Sequence, residues 1–315
     1  MKKRVCAVCL MAFMLLLPGR ALAWNAIGHE VVARIAWEKM KPETRDKLIA
    51  LLMQAPPDAD LASLLPKDSR PLSERQRDLF ILAATWADMV RSDEFPERKK
   101  KYHHSPWHYT NFFWKQVGGQ PVDVPELQPE KINIVERLNF LQGDVVTNAD
   151  ASERAIDLAW ILHLVGDIHQ PLHDSARVTE LEPTGDQGGN LFKLTPPGTR
   201  REDERSLHGL WDNILNDSIK RKQNETDTQY ANRIAARIMK DYPPKKIKTA
   251  MKPGDYAAWA QEGLMTAKLS VYPSWLKRSQ PAPNKYRKQA DKIAEPAIAL
   301  AGYRLAALLD TLFSN

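Results

Sequence analysis

His163 and Asp167 stand four residues apart, and so do His208 and Asp212. On a helix that spacing puts both side chains on one face. Ile156, Ala159 and Trp160 precede the first pair at helical spacing, and Trp211 and Leu215 flank the second. Both pairs are therefore expected on inward, apolar stripes. A buried carboxylate without a partner costs several kcal/mol or is neutralised. One pair alone could satisfy itself as a His–Asp ion pair. Two pairs, together with His173 after the helix-ending Gln170-Pro171-Leu172, favour a metal centre. Neutral imidazole and carboxylate are a ligand set that suits zinc, and a cation neutralises the acids.

Three further places carry chemistry with less force on their own. Asp88 lies in Trp86-Ala87-Asp88-Met89-Val90-Arg91; taken singly it reads as a surface ion pair with Arg91. His108, in Pro106-Trp107-His108-Tyr109, taken singly reads as a packed histidine. Trp24 becomes the first residue if the chain is cut after Ala23, and His29 follows it closely. A free α-amine has a pKa of about 7.7–8.0, so it gives up its proton to a metal easily and can chelate together with its own carbonyl.

The elements that must position these residues are mostly helices. Periodicity predicts them over 29–40, 73–91 (with Ser73 and Gln76 as a capping box), 132–141, 151–169, 202–219, 227–239, 256–270 and 290–313. Strand signal is sparse, with one hairpin expected near 110–124 and another near 177–194. Gaps rich in Pro, Gly and Lys separate the helices, and there is no internal repeat. The expected fold is a single mainly helical, all-α domain over 24–315 with one or two short hairpins. A hydrophobic content of 43% and a charged content of 27% describe an ordinary globular chain with enough length for a large core.

The first 23 residues form a separate unit. Lys2, Lys3 and Arg4 precede an apolar run from Val5 to Leu17, and Ala21-Leu22-Ala23 comes just before Trp24. That is the order of a secretory signal peptide, and the run is shorter than the ~20 residues a membrane anchor needs. The expected address is the periplasm or the outside of the cell. The 315-residue chain carries 45 Lys+Arg against 39 Asp+Glu, a net +6. Four of the bases and none of the acids lie before Trp24, so the remainder is only +2. A strongly basic nucleic-acid-coating protein is thereby excluded. Both cysteines, Cys6 and Cys9, also lie there, so core packing or metal must do the work that disulfides do in many exported proteins.

Trp24…His29, Trp86-Ala87-Asp88, Trp107-His108-Tyr109, His163-x3-Asp167-x5-His173, Asp186-Gln187-Gly188-Gly189-Asn190 and Leu207-His208-Gly209-Leu210-Trp211-Asp212 follow one another in an order that resembles the S1/P1 nuclease family. The resemblance runs from Trp24 to the C-terminal helix. The zinc-dependent phospholipase C family is similar in its N-terminal Trp and ligand order. It differs in the Trp-to-His spacing and tends to have Glu where Asp212 stands.

The nuclease resemblance implies a helical fold around three zinc ions. Asp88, His108, His163 and Asp167 would hold one; Trp24 (amine and carbonyl), His29 and a bridging Asp167 a second; His173, His208 and Asp212 the third. It implies hydrolysis of single-stranded DNA and RNA to 5′-phosphate products, with 3′-nucleotidase activity as a further possibility, by a monomer without a membrane or an obligate protein partner. Asp88 and Arg91 would act in catalysis, while Tyr109, Asn111 and Asn190 would contact substrate. Tyr109 would stack on a base. Asn111 replaces a frequent family Asp, and Asn25 replaces a small residue and is expected to crowd the site. Two other readings remain: a zinc-dependent phospholipase C using the same metals, and an exported zinc-binding protein without catalysis, which leaves Arg91 and Trp24 without a purpose.

Overall fold

The computed structural model describes residues 24–247 and 251–314; the proposed signal segment, 1–23, lies outside the described residues. Twelve α-helices are found among them: α1 (Ala26–Lys39), α2 (Pro42–Leu52), α3 (Leu72–Ala83), α4 (Trp86–Met89), α5 (Pro96–Tyr102), α6 (Ile134–Thr147), α7 (Ala151–Asp167), α8 (Leu207–Asp212), α9 (Ile214–Ser218), α10 (Asp227–Asp241), α11 (Tyr256–Thr266) and α12 (Asn284–Leu312). A three-stranded sheet of β1 (Phe112–Val117), β2 (Gln120–Asp123) and β3 (Ser175–Arg177) completes the fold in the order β2-β1-β3. The mainly helical architecture expected from the periodicity is what the chain adopts.

α7 is the axis. Asp150 caps it by accepting from the Ser152 amide at 2.8 Å, and every residue from Leu158 to Asp167 is buried. A helix apolar all round must be sheathed by others; α1, α2, α3, α4, α6 and α12 all pack against this one. α1 lies in turn between α7, α10 and α12. Arg304 of α12, fully buried, ties this layer together. It pairs with Glu262 of α11 at 2.8 Å and reaches His169 Nε2, just past the end of α7, at 3.0 Å.

The sheet serves α7 as well. β1 and β2 form the expected antiparallel hairpin, with Trp114 opposite Asp123. The second expected hairpin, 177–194, does not form. Instead β3 adds to β1 in parallel, Phe112 against Ser175, and the chain then leaves through turns that accept the left-handed conformations of its Gly-rich segment. Since β1 follows His108 and β3 follows His173, this pairing brings two distant histidines side by side.

Three further expectations are corrected. The helix expected over 73–91 is interrupted at Ala84 and Thr85, between α3 and α4, and ends at Met89. The helix expected over 202–219 begins only at Leu207, where the Ser206 side chain caps it, and breaks at Asn213 between α8 and α9. The capping box at Ser73 and Gln76 is not made. Pro71, with its φ preset near the helical range, starts α3 one residue earlier without any side-chain cap. The box that does form is Thr226 with Gln229 at the start of α10.

Asp157 of α7 and Asp144 of α6 face each other where the two helices pack. Burial first, and then the hydrogen bond and charge of Asp144, push the Asp157 carboxyl up to about 8. Its unfolded value is about 3.9, so the folded state keeps a proton that the unfolded chain has already released. Stability from this pair is fully present at low pH and declines as pH rises toward about 8. Asp157→Asn should therefore raise the melting temperature by a few degrees at alkaline pH and change little near pH ~4. Thermal melts across that range check it; an equal shift at every pH would mean that the pair does not share a proton.

Candidate metal centre

Asp167 ends α7 with no solvent exposure. Its two oxygens face different imidazoles. Oδ1 is 3.2 Å from His29 Nε2 of α1, while Oδ2 is 2.9 Å from His108 Nδ1 and 3.2 Å from His163 Nε2. His108 comes from a short 3-10 turn, Ser105–His108, that leads into β1. His29 stacks on His163 with ring centroids 3.9 Å apart. The close approach depends on Gly166: a Cβ there would lie 2.6 Å from His29 Nδ1. Asp88 of α4 completes the group, 4.0 Å from His163 Nε2.

A second cluster adjoins the first. His173, His208 and Asp212 place ligand-capable atoms within 4.8 Å of one another. The His173 and His208 rings are 5.0 Å apart, and His208 Nε2 is 3.5 Å from Asp212 Oδ2. The clusters are joined through the main chain, where Thr110 N–H donates to His173 C=O at 2.7 Å. Gln170 spans the same region. Its amide donates to Asp212 Oδ1 at 2.8 Å, and its oxygen accepts from the Leu172 amide.

Divalent cations fit these residues. Three imidazoles meet main-chain carbonyls through Nδ1: His163 at Ala84 (2.8 Å), His173 at His108 (2.6 Å) and His208 at Gly188 (2.7 Å). Such a bond assigns the proton to Nδ1 and leaves Nε2 as a lone pair aimed into the cluster, the usual arrangement around a metal. Further buried nitrogens of these imidazoles have no hydrogen-bond partner: His29 Nδ1, His108 Nε2 and His173 Nε2. Buried polar groups are rarely left so.

The electrostatics agree. Burial pushes Asp212 well above the usual carboxylate range, and Asp88 and Asp167 add to this against the Gln170 hydrogen bond. Asp174 is also fully buried and pushed up, by burial and then by Asp167. Burial opposes ionisation of Asp167 too, but His163, His173 and His108 outweigh it and hold the group well below its ordinary value. Burial lowers His29 to about 4, with His163 adding to the effect. In His163 burial is outweighed by the attraction of Asp167 and Asp88, which lifts it to about 9, so without a cation its Nε2 carries a proton that a bound metal would displace. Carboxyl groups whose ionisation burial opposes, set beside imidazoles out of solvent, are groups that a cation would hold in their anionic form.

The remaining residues named from sequence lie around this centre. Asp88 and Arg91 stand at its rim, with the guanidinium 3.3 Å from the carboxylate and side chains 19% and 12% exposed for Arg91 and Asp88 respectively. Burial disfavours the Asp88 anion, yet His163, Arg91 and His108 bring its pKa below normal. Tyr109 and Asn111, both half-buried, sit on the link from His108 to β1. Asn190 uses its amide to close its own loop on Gln187 C=O at 2.9 Å. Trp24 is fully buried, and the next amide, Asn25 N–H, donates to Asp212 C=O at 3.0 Å. Asn25 does not crowd the site; it caps α1 at the Gly28 amide and bonds Asn213 at 3.0 Å.

Other supports had no sequence signal. The carbonyls of Ala84, His108 and Gly188 belong to residues whose identity says nothing about orientation. Tyr272 donates to Asp186 Oδ2 at 2.8 Å, and Asp186 Oδ1 accepts the amides of Arg177 and Gly189. This shapes the loop that presents Gly188 to His208. Gln170 was legible only as the start of a helix stop.

Comparison with known proteins places the chain among nucleases. A sequence model described as S1/P1 Nuclease matches residues 24–314. Nuclease S1 of Aspergillus oryzae is 26% identical, the similarity covering 93% of this chain and 92% of that one. Endonuclease 4 of Arabidopsis thaliana is 25% identical over 94% and 91% of the two chains. Endonuclease 2 of the same plant is 26% identical over 61% of this chain and 56% of its own.

Gly188 has φ +59, and a Cβ on it would lie 2.3 Å from Leu172 O. Gly188→Ala must therefore shift the loop and take its carbonyl away from His208. Loss of such an outer partner commonly costs 10–100-fold in metal affinity. Chelator competition on the variant should show one class of ion released more readily and the rest held as before. Unaltered release of every ion would show that the loop does not orient His208.

Proposed function

The chain belongs to the S1/P1 nuclease family and is a nuclease, and we propose that it is an exported, zinc-dependent endonuclease that cleaves single-stranded DNA and RNA to 5′-phosphate products, with 3′-nucleotidase activity. The observation that carries this reading is the shared carboxylate of Asp167, whose oxygens face His29 on one side and His108 and His163 on the other. A carboxylate so placed suits two neighbouring cations. In this assignment Asp88, His108, His163 and Asp167 would hold one zinc, and Asp167, His29 and the amine and carbonyl of Trp24 would hold a second. His173, His208 and Asp212 would hold a third. Cleavage after Ala23 would create the Trp24 amine, so export and completion of the site coincide.

When bound, the ions lower the pKa of water and neutralise charge building up on the phosphate. The chain's own groups do the rest. Asp88, at the solvent edge, accepts a hydrogen bond from the attacking water and orients it toward phosphorus. Arg91 beside it offers a planar fork of donors to the phosphoryl oxygens. The buried side of the centre excludes bulk water, which strengthens each of these interactions. Tyr109 stacks on the base next to the scissile bond, and Asn111 and Asn190 offer polar contacts to the nucleotide. The zinc phospholipase reading uses the same ligands, but the family match supports a nuclease.

Release of acid-soluble nucleotides from single-stranded DNA, single-stranded RNA and duplex DNA, run beside phosphatidylcholine hydrolysis, tests the proposal. Rapid loss of both single strands with little attack on duplex or lipid is expected. Duplex cleaved as fast as single strands would refute the strand preference. Arg91→Lys should keep its metal while turnover drops on the order of 10²-fold, because a Lys ammonium is a point charge without the fork. Unchanged turnover would confine Arg91 to its ion pair with Asp88.

A further inference from the structure

A run of aromatic and cationic contacts leads outward from His108, edge-on and tilted at Trp160 and stacked beyond it. Trp160 meets His108 at 5.3 Å between ring centroids and Trp107 at 4.8 Å. His104 stacks on Trp107 at 4.1 Å with the planes 20° apart. The Arg137 guanidinium is 5.2 Å from the Trp107 ring centre and 4.8 Å from that of Phe140. Arg137 and Phe140 are three residues apart on α6, hence neighbours on one face, and Glu136 pairs with the guanidinium. From His104 outward the order is imidazole, indole, guanidinium, phenyl. The stack ends at Phe140, which is 49% exposed.

We propose that Phe140, backed by Arg137 and Trp107, is an outer stacking platform for a nucleobase of the same single strand that is cut at the metal centre; this rests on the single-strand reading above. Three features select this occupant. Every natural base has a π-face, so a base continues the stack on the open side of Phe140 without any sequence requirement. Arg137 is already paired with Glu136, so it serves as a flat cationic layer that polarises the ring above it. One ring beside the polar Glu136 and Asn139 is far smaller than the ~800 Å² per partner of a stable protein interface, and it matches one base.

The test compares KM for an oligonucleotide of about a dozen bases with KM for a dinucleotide too short to reach the platform. In Phe140→Ala the ratio of the two should rise roughly tenfold, the size expected for one lost stacking contact. Phe140→Leu keeps apolar area but no π-face and should behave like Phe140→Ala, whereas Phe140→Trp should restore the wild-type ratio. Phe140 is half in solvent, so thermal melts of the three variants should coincide with that of the parent. An unchanged ratio in Phe140→Ala, or full rescue by Leu, overturns the platform while leaving the single-strand reading standing. A parent enzyme that prefers duplex overturns that reading and the platform with it.

Discussion

The carboxylate of Asp167 is the group around which this protein is organised. It is wholly buried, and three imidazoles from three separate elements converge on it. An anion in that position is stable only if every lone pair has a partner and its charge is met. α7 can carry it because six other helices pack against it and bury every residue from Leu158 to Asp167, and α1 can approach because position 166 has no side chain. The buried core and the metal centre are thus the same region, and one cannot be altered without the other.

This coupling has an energetic consequence. A set of buried carboxylates and imidazoles with several unpaired atoms opposes folding when no cation is present. Binding a cation then contributes directly to the folding free energy, as it does in other structural metal sites. The described chain contains no cysteine, so no disulfide shares that role. The rim follows a different logic. Asp88 and Arg91 stay partly solvated, where a phosphate can reach them.

Much of this was legible in the residues. The His163–Asp167 and His208–Asp212 spacings announced two inward-facing pairs, because helix periodicity converts sequence distance into a shared face. The grouping of His29 with His163 and Asp167 came only from the family resemblance, since no spacing encodes how α1 crosses α7. The adjacency of His108 and His173 was not legible either. It arises from a parallel β1–β3 pairing: β1 was expected only in its hairpin with β2, and nothing local marks the three residues of β3 as its partner. The region after Arg177 misled for a related reason. Its Gly and Thr residues fit a hairpin, but its loop is held by Asp186, Tyr272 and main-chain bonds that no local pattern encodes. Sequence already favoured a nuclease over a phospholipase through the Trp24-to-His29 spacing and Asp212, although both families use the same ligand chemistry, and the family match over 24–314 agrees.

The central claim is that cations fill the space between these buried groups. Elemental analysis of the mature protein after exhaustive dialysis measures it without reference to activity. Close to three zinc ions per chain, with no other transition metal in comparable amount, is the result expected from ligand sets centred on Asp167 and Asp212. One ion per chain, or none, would contradict it and return the His–Asp pairs to the role of internal ion pairs.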